Sequence, residues 1–318
     1  MFSCRACYLL TCLCFPLFAE VGLAGQAIPA PEQRSSIEIH KRVEEVRVLF
    51  NVTDRHGRPV TGLKAEDVIV LEDGQPVSSF TDFSLPVGMP LRLTMLVDAS
   101  ASMAGNFSAE REAAQRMLSA GSDPDPSAAA WASFSAEPRK SWRAAAVPPD
   151  SRFQPGSLSS LRATGQTAVL DALSFAMQHP PSRWTGQPGR NVILLLSDGE
   201  DNSSRHTLAE IVATAQQEEI AIYAVAAHSS RLEFPGDRML RSLCEGTGGR
   251  FFLVPDYSKT DSALEQIKSD LKSEYAVSFR PRARRGGTGG AHSLAITIRN
   301  RRGLRVQARK GYFVGEAE

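Results

Sequence analysis

Cysteine is scarce and lies almost entirely at one end of the chain. Of the five cysteines in 318 residues, one is Cys244 and the others belong to the N-terminal leader: Cys4, Cys7, Cys12 and Cys14. Once the leader is removed a single thiol remains, which excludes an internal disulfide. We therefore expect the hydrophobic core to supply the stability. Cys244 follows an apolar stretch, and we expect it to be a buried packing residue.

The chain also lacks a surplus of charge of either sign. Its 36 lysines and arginines oppose 35 aspartates and glutamates, which gives a net charge of +1 at pH 7. This balance argues against a nucleic-acid binder and against an acidic buffer protein. Hydrophobic residues make up 42% and charged residues 22% of the sequence, values typical of a globular protein with a sizeable core.

Several signatures of catalysis are missing. The six histidines show no His-x-x-x-His spacing, and no Gly-x-Ser-x-Gly nucleophile elbow occurs. Cys244 has no evident histidine partner that would activate it. We therefore predict a protein that is not an enzyme. A metal-dependent hydrolase is the less favoured interpretation, because no residue is placed as a general base.

The N-terminus has the composition of an export signal. Arg5 precedes an apolar run at positions 8–19, and small residues follow. This pattern predicts a secretory signal peptide over residues 1–25 and a Pro- and Ser-containing linker over 26–36. The apolar run is short for a membrane-spanning helix, although a retained anchor is the alternative. We expect a protein that is secreted or held in the periplasm or cell envelope.

Short runs of alternating polarity occur near both chain ends. Apolar residues alternate from Val46 to Phe50 and again from Tyr275 to Phe279, as in strands with one buried face. The segments 37–89 and 272–318 each hold too few strands to bury a face alone. We therefore predict that they pair as the two halves of one small β-sandwich.

The segment between these halves, residues 90–271, alternates strands with helices. Leu91–Val97, Asn191–Leu196 and Ile220–Ala226 are apolar runs without alternation, typical of strands that are covered on both faces. Helical patterns such as Ala109–Leu118 lie between them. The predicted fold class is α/β, with a doubly wound, mostly parallel, Rossmann-like sheet inserted in the β-sandwich.

Oxygen-bearing side chains follow two of the predicted buried strands. Asp98, Ser100 and Ser102 come directly after the first, and Asp198 comes after another; Thr167 opens a helix. The carboxyl ends of parallel strands meet at one sheet edge, where ligands bind in such folds. Carboxylate and hydroxyl oxygens suit Mg²⁺ or Mn²⁺. Two carboxylates would only balance the charge of the ion, so a coordination position would remain for an acidic group from outside.

The three segments together resemble the metal-ion-dependent adhesion site of von Willebrand factor A-type (VWA) domains. Asp-x-Ser-x-Ser, Gly-x-Thr-Ala and Ser-Asp-Gly occur here in that order, and the resemblance covers about residues 90–271. It implies that Ser100, Ser102 and Thr167 bind the metal and that Asp98 and Asp198 often act through water. The flanking segments resemble exported bacterial VWFA-related proteins, down to the terminal motif Arg309, Gly311, Tyr312 and Phe313.

Alternatives remain open for each segment. The serines could cap a helix, Asp198 could belong to a simple turn, and Thr164 could replace Thr167 as the third hydroxyl. Glu200 and Asp201 are expected to be loop surface rather than ligands.

Two functions follow from these features. The first is an adhesion-type module that captures an acidic side chain of a partner protein. The second is a structural cell-envelope protein that binds anionic lipid or polysaccharide through the basic C-terminal strands, whose arginines could equally be a solvated face. A nucleic-acid partner is disfavoured, because no aromatic residues are interleaved with the basic ones over 286–302.

Overall fold

The computed structural model describes nine segments of the chain: residues 45–86, 89–105, 107–118, 128–135, 143–147, 163–178, 189–230, 232–282 and 290–314. The predicted signal peptide and linker lie outside these segments. Within them, no helix combines the length and the apolar character needed to cross a membrane.

The elements follow one another in the order that the sequence patterns indicate. The strands are β1 (Val46–Thr53), β2 (Val68–Glu72), β3 (Gln75–Pro76), β4 (Asp82–Ser84), β5 (Leu91–Asp98), β6 (Ala128–Phe134), β7 (Arg143–Val147), β8 (Arg190–Leu196), β9 (Ile220–Ala227), β10 (Phe251–Val254), β11 (Tyr275–Phe279), β12 (Gly290–Ile298), β13 (Arg305–Ala308) and β14 (Gly311–Val314). The α-helices are α1 (Phe107–Leu118), α2 (Val169–Gln178), α3 (Leu208–Gln217), α4 (Pro235–Thr247) and α5 (Asp261–Lys272).

The central sheet of the described part has the strand order β10-β9-β8-β5-β6-β7. The strands from β10 to β6 run parallel, and β7 is antiparallel to β6. Every residue of β5 is buried, because separate hydrophobic clusters cover the two faces of the sheet. The predicted doubly wound, mostly parallel sheet is therefore confirmed.

Strands from both chain ends build two further antiparallel sheets. Their orders are β13-β1-β11-β4 and β14-β12-β2-β3. In the first, Val48 lies opposite Val277, and in the second Val70 lies opposite Ile296. Since each sheet mixes N-terminal with C-terminal strands, neither half forms a sheet alone. The predicted β-sandwich, with the α/β segment inserted between its halves, is confirmed.

The two antiparallel sheets share one core. Phe50 on β1 is 1% exposed, and its ring stacks on that of Tyr275 with centroids 5.4 Å apart. Both residues belong to a cluster that also contains Val70, Ile296 and Tyr312. Burying one side chain of this size contributes roughly 1.5–3 kcal/mol. About half of the residues in this cluster come from the C-terminal segment. Both chain ends therefore contribute to the core of the sandwich.

Helix α4 begins earlier than the apolar pattern predicts. The pattern starts near Met239, whereas the helix starts at Pro235, whose fixed φ suits a first helical position. The carboxylate of Asp237 accepts a hydrogen bond from the N–H of Phe234 (2.8 Å) and so caps the end. Cys244 is buried within this helix, as predicted, and burial raises the pKa of its thiol.

Candidate metal centre

Three loops meet at the carboxyl edge of the central sheet. Loop 1 (residues 98–105) follows β5, loop 2 (163–168) precedes α2, and loop 3 (197–207) follows β8. Two backbone hydrogen bonds join loop 1 to loop 2: Ala101 N–H to Gly165 C=O (2.9 Å) and Thr164 N–H to Ala99 C=O (2.8 Å). The three segments of the predicted site are thus neighbours in space.

Asp98 is the fixed centre of the cluster. It is fully buried; its Oδ1 accepts from the N–H of Ser100 (2.9 Å), and its Oδ2 accepts from the Oγ of Ser197 (2.6 Å). Burial raises the pKa of Asp98 to about 6, although these hydrogen bonds oppose the rise, and the negative charge of Asp198 adds to it. The carboxylates of Asp98 and Asp198 are therefore close enough to repel each other.

The two predicted serines stand side by side on loop 1. Their Oγ atoms are 3.0 Å apart. Ser100 is buried and Ser102 is exposed, so the pair leads from the buried Asp98 outward to solvent. A short 3₁₀ turn over Ala101–Gly105 fixes this arrangement.

Thr167 joins loop 2 to loop 3. Its N–H donates to the Oδ1 of Asn202 (3.0 Å), and its C=O accepts from the N–H of Asn202 (3.1 Å). Thr167 is 2% exposed, whereas Thr164, the alternative hydroxyl, is exposed. Of the two threonines, Thr167 is the one enclosed between the loops.

Asp198 lies at the outer side of the cluster and is partly buried. Its Oδ1 accepts from the N–H of Glu200 (3.0 Å). The backbone behind it packs directly on the start of α4: a Cβ added to Gly236 would lie 2.5 Å from the carbonyl oxygen of Asp198. Gly199 has φ +73°, and a Cβ added to it would lie 2.8 Å from the carbonyl oxygen of Gly236. The glycine after Asp198 is therefore required by both conformation and packing.

Glu110 belongs to the cluster, although the sequence motifs do not contain it. It is completely buried in α1, and its Oε1 accepts from the backbone N–H of Asp98 (3.1 Å), while its Oε2 has no partner among the described residues. Burial raises the pKa of Glu110 well above its usual range, and the charge of Asp98 adds to the rise. Phe107, Glu110 and Ala114 follow helical i, i+3, i+7 spacing, which puts Glu110 on the core-facing side of the helix. A carboxylate at such a position is the sequence signal that could have identified it.

Ser197 is the second residue that sequence reasoning missed. The motif includes it, but its hydroxyl was given no role. Its Oγ donates to Asp98 and also accepts from the N–H of Gly199 (3.0 Å). Ser197 therefore orients the carboxylate of Asp98 and shapes the turn that carries Asp198.

Loop 3 is held down on α2. Asp201 accepts from the N–H groups of Leu170 (2.9 Å) and Ser204 (3.0 Å), so it is a structural anchor rather than the loop-surface residue we expected. His206 contacts the carboxylate of Asp171 (2.6 Å) and the Oγ of Ser174 (3.2 Å). Ser174, His206 and Asp171 thus form a hydrogen-bonded Ser–His–Asp series.

The series lacks an accessible nucleophile. Ser174 is 6% exposed, and its Oγ is also within hydrogen-bond distance of Gln178 (3.2 Å). The series therefore serves to fix loop 3.

The donor set fits a hard divalent cation. Asp98, Asp198 and Glu110 place carboxyl groups within electrostatic range of one another, and two serine hydroxyls adjoin them. Within the described segments, no cluster of three or more His, Cys, Asp or Glu side chains is arranged to hold a metal, so a cation here would depend on hydroxyl ligands too. Such oxygens suit hard divalent cations such as Mg²⁺ and Mn²⁺.

Several solved structures are similar to parts of this chain at low sequence identity. The proximal thread matrix protein 1 of the mussel byssus, with a zinc-occupied MIDAS motif, is 17% identical with a TM-score of 0.45 over 61% of this chain and 48% of its own. A von Willebrand factor type A protein from Catenulispora acidiphila is 13% identical, with a TM-score of 0.44, over 85% of this chain and 74% of its own.

The pilus adhesin SpaC from Lactobacillus rhamnosus GG, in its open conformation, is 11% identical, with a TM-score of 0.46, over 79% of this chain and 41% of its own. The chain thus spans about half the length of the mussel protein and less than half that of the adhesin.

Among proteins with curated descriptions, no match was found. The family model of the von Willebrand factor type A domain matches residues 93–268, which is more than half of the 318 residues. The matched span begins in β5 and ends in α5, and so encloses all three loops of the site. The chain belongs to the von Willebrand factor type A domain family.

Proposed function

We propose that the chain is an exported, non-enzymatic binding module that holds one Mg²⁺ or Mn²⁺ ion through Asp98, Ser100, Ser102, Thr167 and Asp198. The ion captures a glutamate or aspartate side chain of a partner protein. The observation that carries this proposal is the convergence of Asp98, both serines and Asp198 at one sheet edge. Membership of a family of interaction modules agrees with it.

Burial within the cluster gives the direction of approach. Asp98 and Ser100 are completely buried, while Ser102 is exposed and Asp198 is partly exposed. A partner therefore reaches the site from the side of Ser102 and Asp198. When bound, a hard divalent cation supplies a Lewis acid to which an external carboxylate can bind.

The charges around the site favour an anionic partner once a cation is held. Asp98 and Asp198 together offset the charge of a divalent ion. Without the cation, burial raises the pKa of Glu110 well above its usual range, which disfavours a third negative charge in the cluster. An incoming carboxylate then meets no net repulsion, whereas the same cluster without a cation repels it.

A selection from a random peptide library tests this function. Peptides that are retained in Mg²⁺ and eluted with EDTA are expected to carry Glu or Asp, and replacing that residue by Gln or Asn should abolish binding. Asp98→Asn keeps the size of the side chain but loses the charge and one of the two acceptor oxygens, and it should retain none of these peptides. Glu200→Gln, at the exposed neighbour of Asp198, is the matched control and should bind normally.

Two results would contradict the proposal. One is a set of selected peptides that bind equally well in EDTA. The other is turnover of a peptide or phosphate substrate that disappears in Asp98→Asn, since this would make the centre catalytic.

A second candidate function rests on the exposed arginines of the sandwich. Arg299, Arg301, Arg302 and Arg305 are all exposed around the β12–β13 connection, and Arg301 lies only at the limit of an ion pair with Asp67 (3.9 Å). Such a cluster suits anionic lipid or polysaccharide. Arg309 does not belong to it, because it is buried and donates to the backbone oxygens of Gln216 and Arg47.

Vesicles containing anionic lipid distinguish this candidate from the first. Binding that falls steeply with salt, is lost on charge reversal at Arg301 and Arg302, and is unchanged in Asp98→Asn would favour the sandwich. Unchanged vesicle or polysaccharide binding after charge reversal would rule it out.

A further inference from the structure

We infer that the partner's acidic residue is accompanied by an apolar side chain, which packs on Leu232 and Phe234 in the loop between β9 and α4. This inference rests on the proposed function, because it assigns a second contact to the same binding face. The partner segment would therefore present two groups together, a carboxylate for the metal centre and an apolar side chain for the loop.

Leu232 and Phe234 are unusual in their exposure. The described residues include four large hydrophobic side chains that are strongly exposed: Leu85, Leu232, Phe234 and Leu253. Two of these lie two positions apart in one loop, at 73% and 44% exposure. A single exposed apolar residue is ordinary, whereas a pair beside a binding site is typical of a contact surface.

The loop adjoins the candidate metal centre. It follows β9, the strand next to β8, and therefore leaves the sheet at the same carboxyl edge as loop 3. Gly236, in the first turn of α4, packs directly on the backbone of Asp198 and Gly199. Phe234 is two residues from Gly236, which limits the separation of their Cα atoms to about 7 Å. One extended peptide can reach both Asp198 and Phe234.

The structure holds Phe234 in a defined position. The N–H of Phe234 donates to Asp237 Oδ2 (2.8 Å), and the same oxygen contacts His228 Nε2 (2.9 Å). The imidazole ring of His228 packs against the Phe234 ring, with centroids 4.6 Å apart. An aromatic side chain that is already ordered loses little conformational entropy on binding, as in the dominant residues of protein interfaces.

Leu232 is anchored through its backbone. Its N–H donates to the Oγ of Ser230 (3.1 Å), which restrains the backbone that carries this exposed side chain. The loop thus presents two apolar groups without burying either against its own core. This is the arrangement expected of a surface that is completed by a partner.

An extended peptide can present a carboxylate and an apolar side chain on the same side. Residues i and i+2 of a strand point to the same side and lie about 7 Å apart. We therefore expect an acidic residue with a large apolar residue two positions away. A segment with the acid alone would engage only the metal centre.

Fluorescein-labelled heptapeptides test the inference directly. The probe Gly-Ser-Glu-Ser-Leu-Ser-Gly and the reversed-order probe Gly-Ser-Leu-Ser-Glu-Ser-Gly are each compared with versions in which Leu becomes Ser or Glu becomes Gln. In Mg²⁺, the better of the two leucine probes should bind the wild-type chain about tenfold tighter than its serine version, which corresponds to about 1.4 kcal/mol. Fluorescence anisotropy gives the dissociation constants.

The protein variants separate the two contacts. The double variant Leu232→Ser/Phe234→Ser should bind the leucine and serine probes alike, at the weaker affinity, with its circular dichroism and Mg²⁺ affinity unchanged. Leu85→Ser removes an apolar side chain of similar exposure from the sandwich and should keep the tenfold preference.

The outcomes distinguish this inference from the proposed function. Binding that needs Glu and Mg²⁺ but ignores the Leu-to-Ser change, or a preference that survives in the double variant, would overturn the inference alone. Binding that ignores the Glu-to-Gln change or persists in EDTA would overturn the proposed function. Absence of binding by every probe would overturn both.

Discussion

The backbone N–H of Asp98 donates to the buried carboxyl group of Glu110 at 3.1 Å. This contact connects β5, the strand that ends at Asp98, to helix α1. It places the carboxyl group of Glu110 directly beneath the candidate metal centre. Glu110 is completely buried, and its second oxygen has no partner among the described residues. A buried, half-satisfied carboxyl group is energetically unfavourable unless it is neutral or faces a cation.

Substitutions of Glu110 should show whether stability depends on its hydrogen-bond acceptor or on a negative charge. Burial raises its pKa well above the usual range, which favours the neutral form, so Glu110→Gln, which keeps an acceptor for the N–H of Asp98, should change the free energy of unfolding less than Glu110→Ala does. Glu110→Ala leaves the N–H of Asp98 without its acceptor and should cost about 1–3 kcal/mol. Urea unfolding of EDTA-stripped protein measures both.

The exposed Glu112 on the same helix supplies the control for these substitutions. Changing it to Gln or Ala should leave the stability nearly unaltered. If Glu110→Gln is as damaging as Glu110→Ala, the buried carboxyl group is ionised in the metal-free protein, and the assignment of a neutral form is wrong.

Three glycines should respond in a graded way to replacement by alanine. Gly165 has φ +82° and open space around it, so Gly165→Ala should cost only the conformational strain, about 1–2 kcal/mol. Gly236→Ala meets the backbone of Asp198 and Gly199, and overpacking of this kind typically costs 1–3 kcal/mol. Gly199→Ala combines positive φ with close contacts and should be the most damaging. Thermal unfolding gives the order, and an equal loss at Gly165 and Gly199 would contradict the close packing.

The stability of the chain should fall as the pH rises from about 4.5 to 7. Burial raises the pKa of Glu274 to about 7, although the neighbouring Arg190 opposes the rise. Between the two pKa values the folded chain keeps the proton that the unfolded chain has released. The stabilisation is therefore complete below the pKa that Glu274 has in the unfolded chain, and it is lost as the pH rises through its pKa in the folded chain. Asp270, whose pKa burial raises to about 6, contributes with the same sign.

Glu274→Gln should flatten this profile, because the amide does not titrate. The measurement is the free energy of unfolding in urea across pH 4 to 8. Glu245→Gln is the control, since Glu245 is exposed and pairs with Lys310 at the surface. A Glu274→Gln profile as steep as that of the wild type would assign the pH dependence to other groups.

The sequence predicts the architecture well because hydrophobic periodicity is local. The predicted strands Leu91–Val97, Asn191–Leu196 and Ile220–Ala226 each differ by one residue from the strands that the structure shows. The pairing of the chain ends also followed from the sequence, because neither half has enough strands to bury a face. The start of α4 was predicted too late, because the residues before Met239 are polar or small and carry no apolar signal.

The site could be predicted only where a motif names its residues. Contacts across long sequence separation were invisible, such as the one between His206 and Asp171, which are 35 residues apart. The helical spacing of Phe107, Glu110 and Ala114 indicates a core position for Glu110 but not its contact with Asp98, and nothing in the sequence distinguishes Arg309 from the other arginines of the C-terminal strands. What decides their roles is burial, which depends on the packed structure rather than on the neighbouring sequence.

Calorimetric titration of Mg²⁺ and Mn²⁺ into the EDTA-stripped chain shows whether the candidate metal centre binds a cation. We expect one saturable site per chain that is absent in Asp98→Asn and intact in Glu200→Gln. Equal binding by the wild type and Asp98→Asn, or no binding by either, would contradict this expectation.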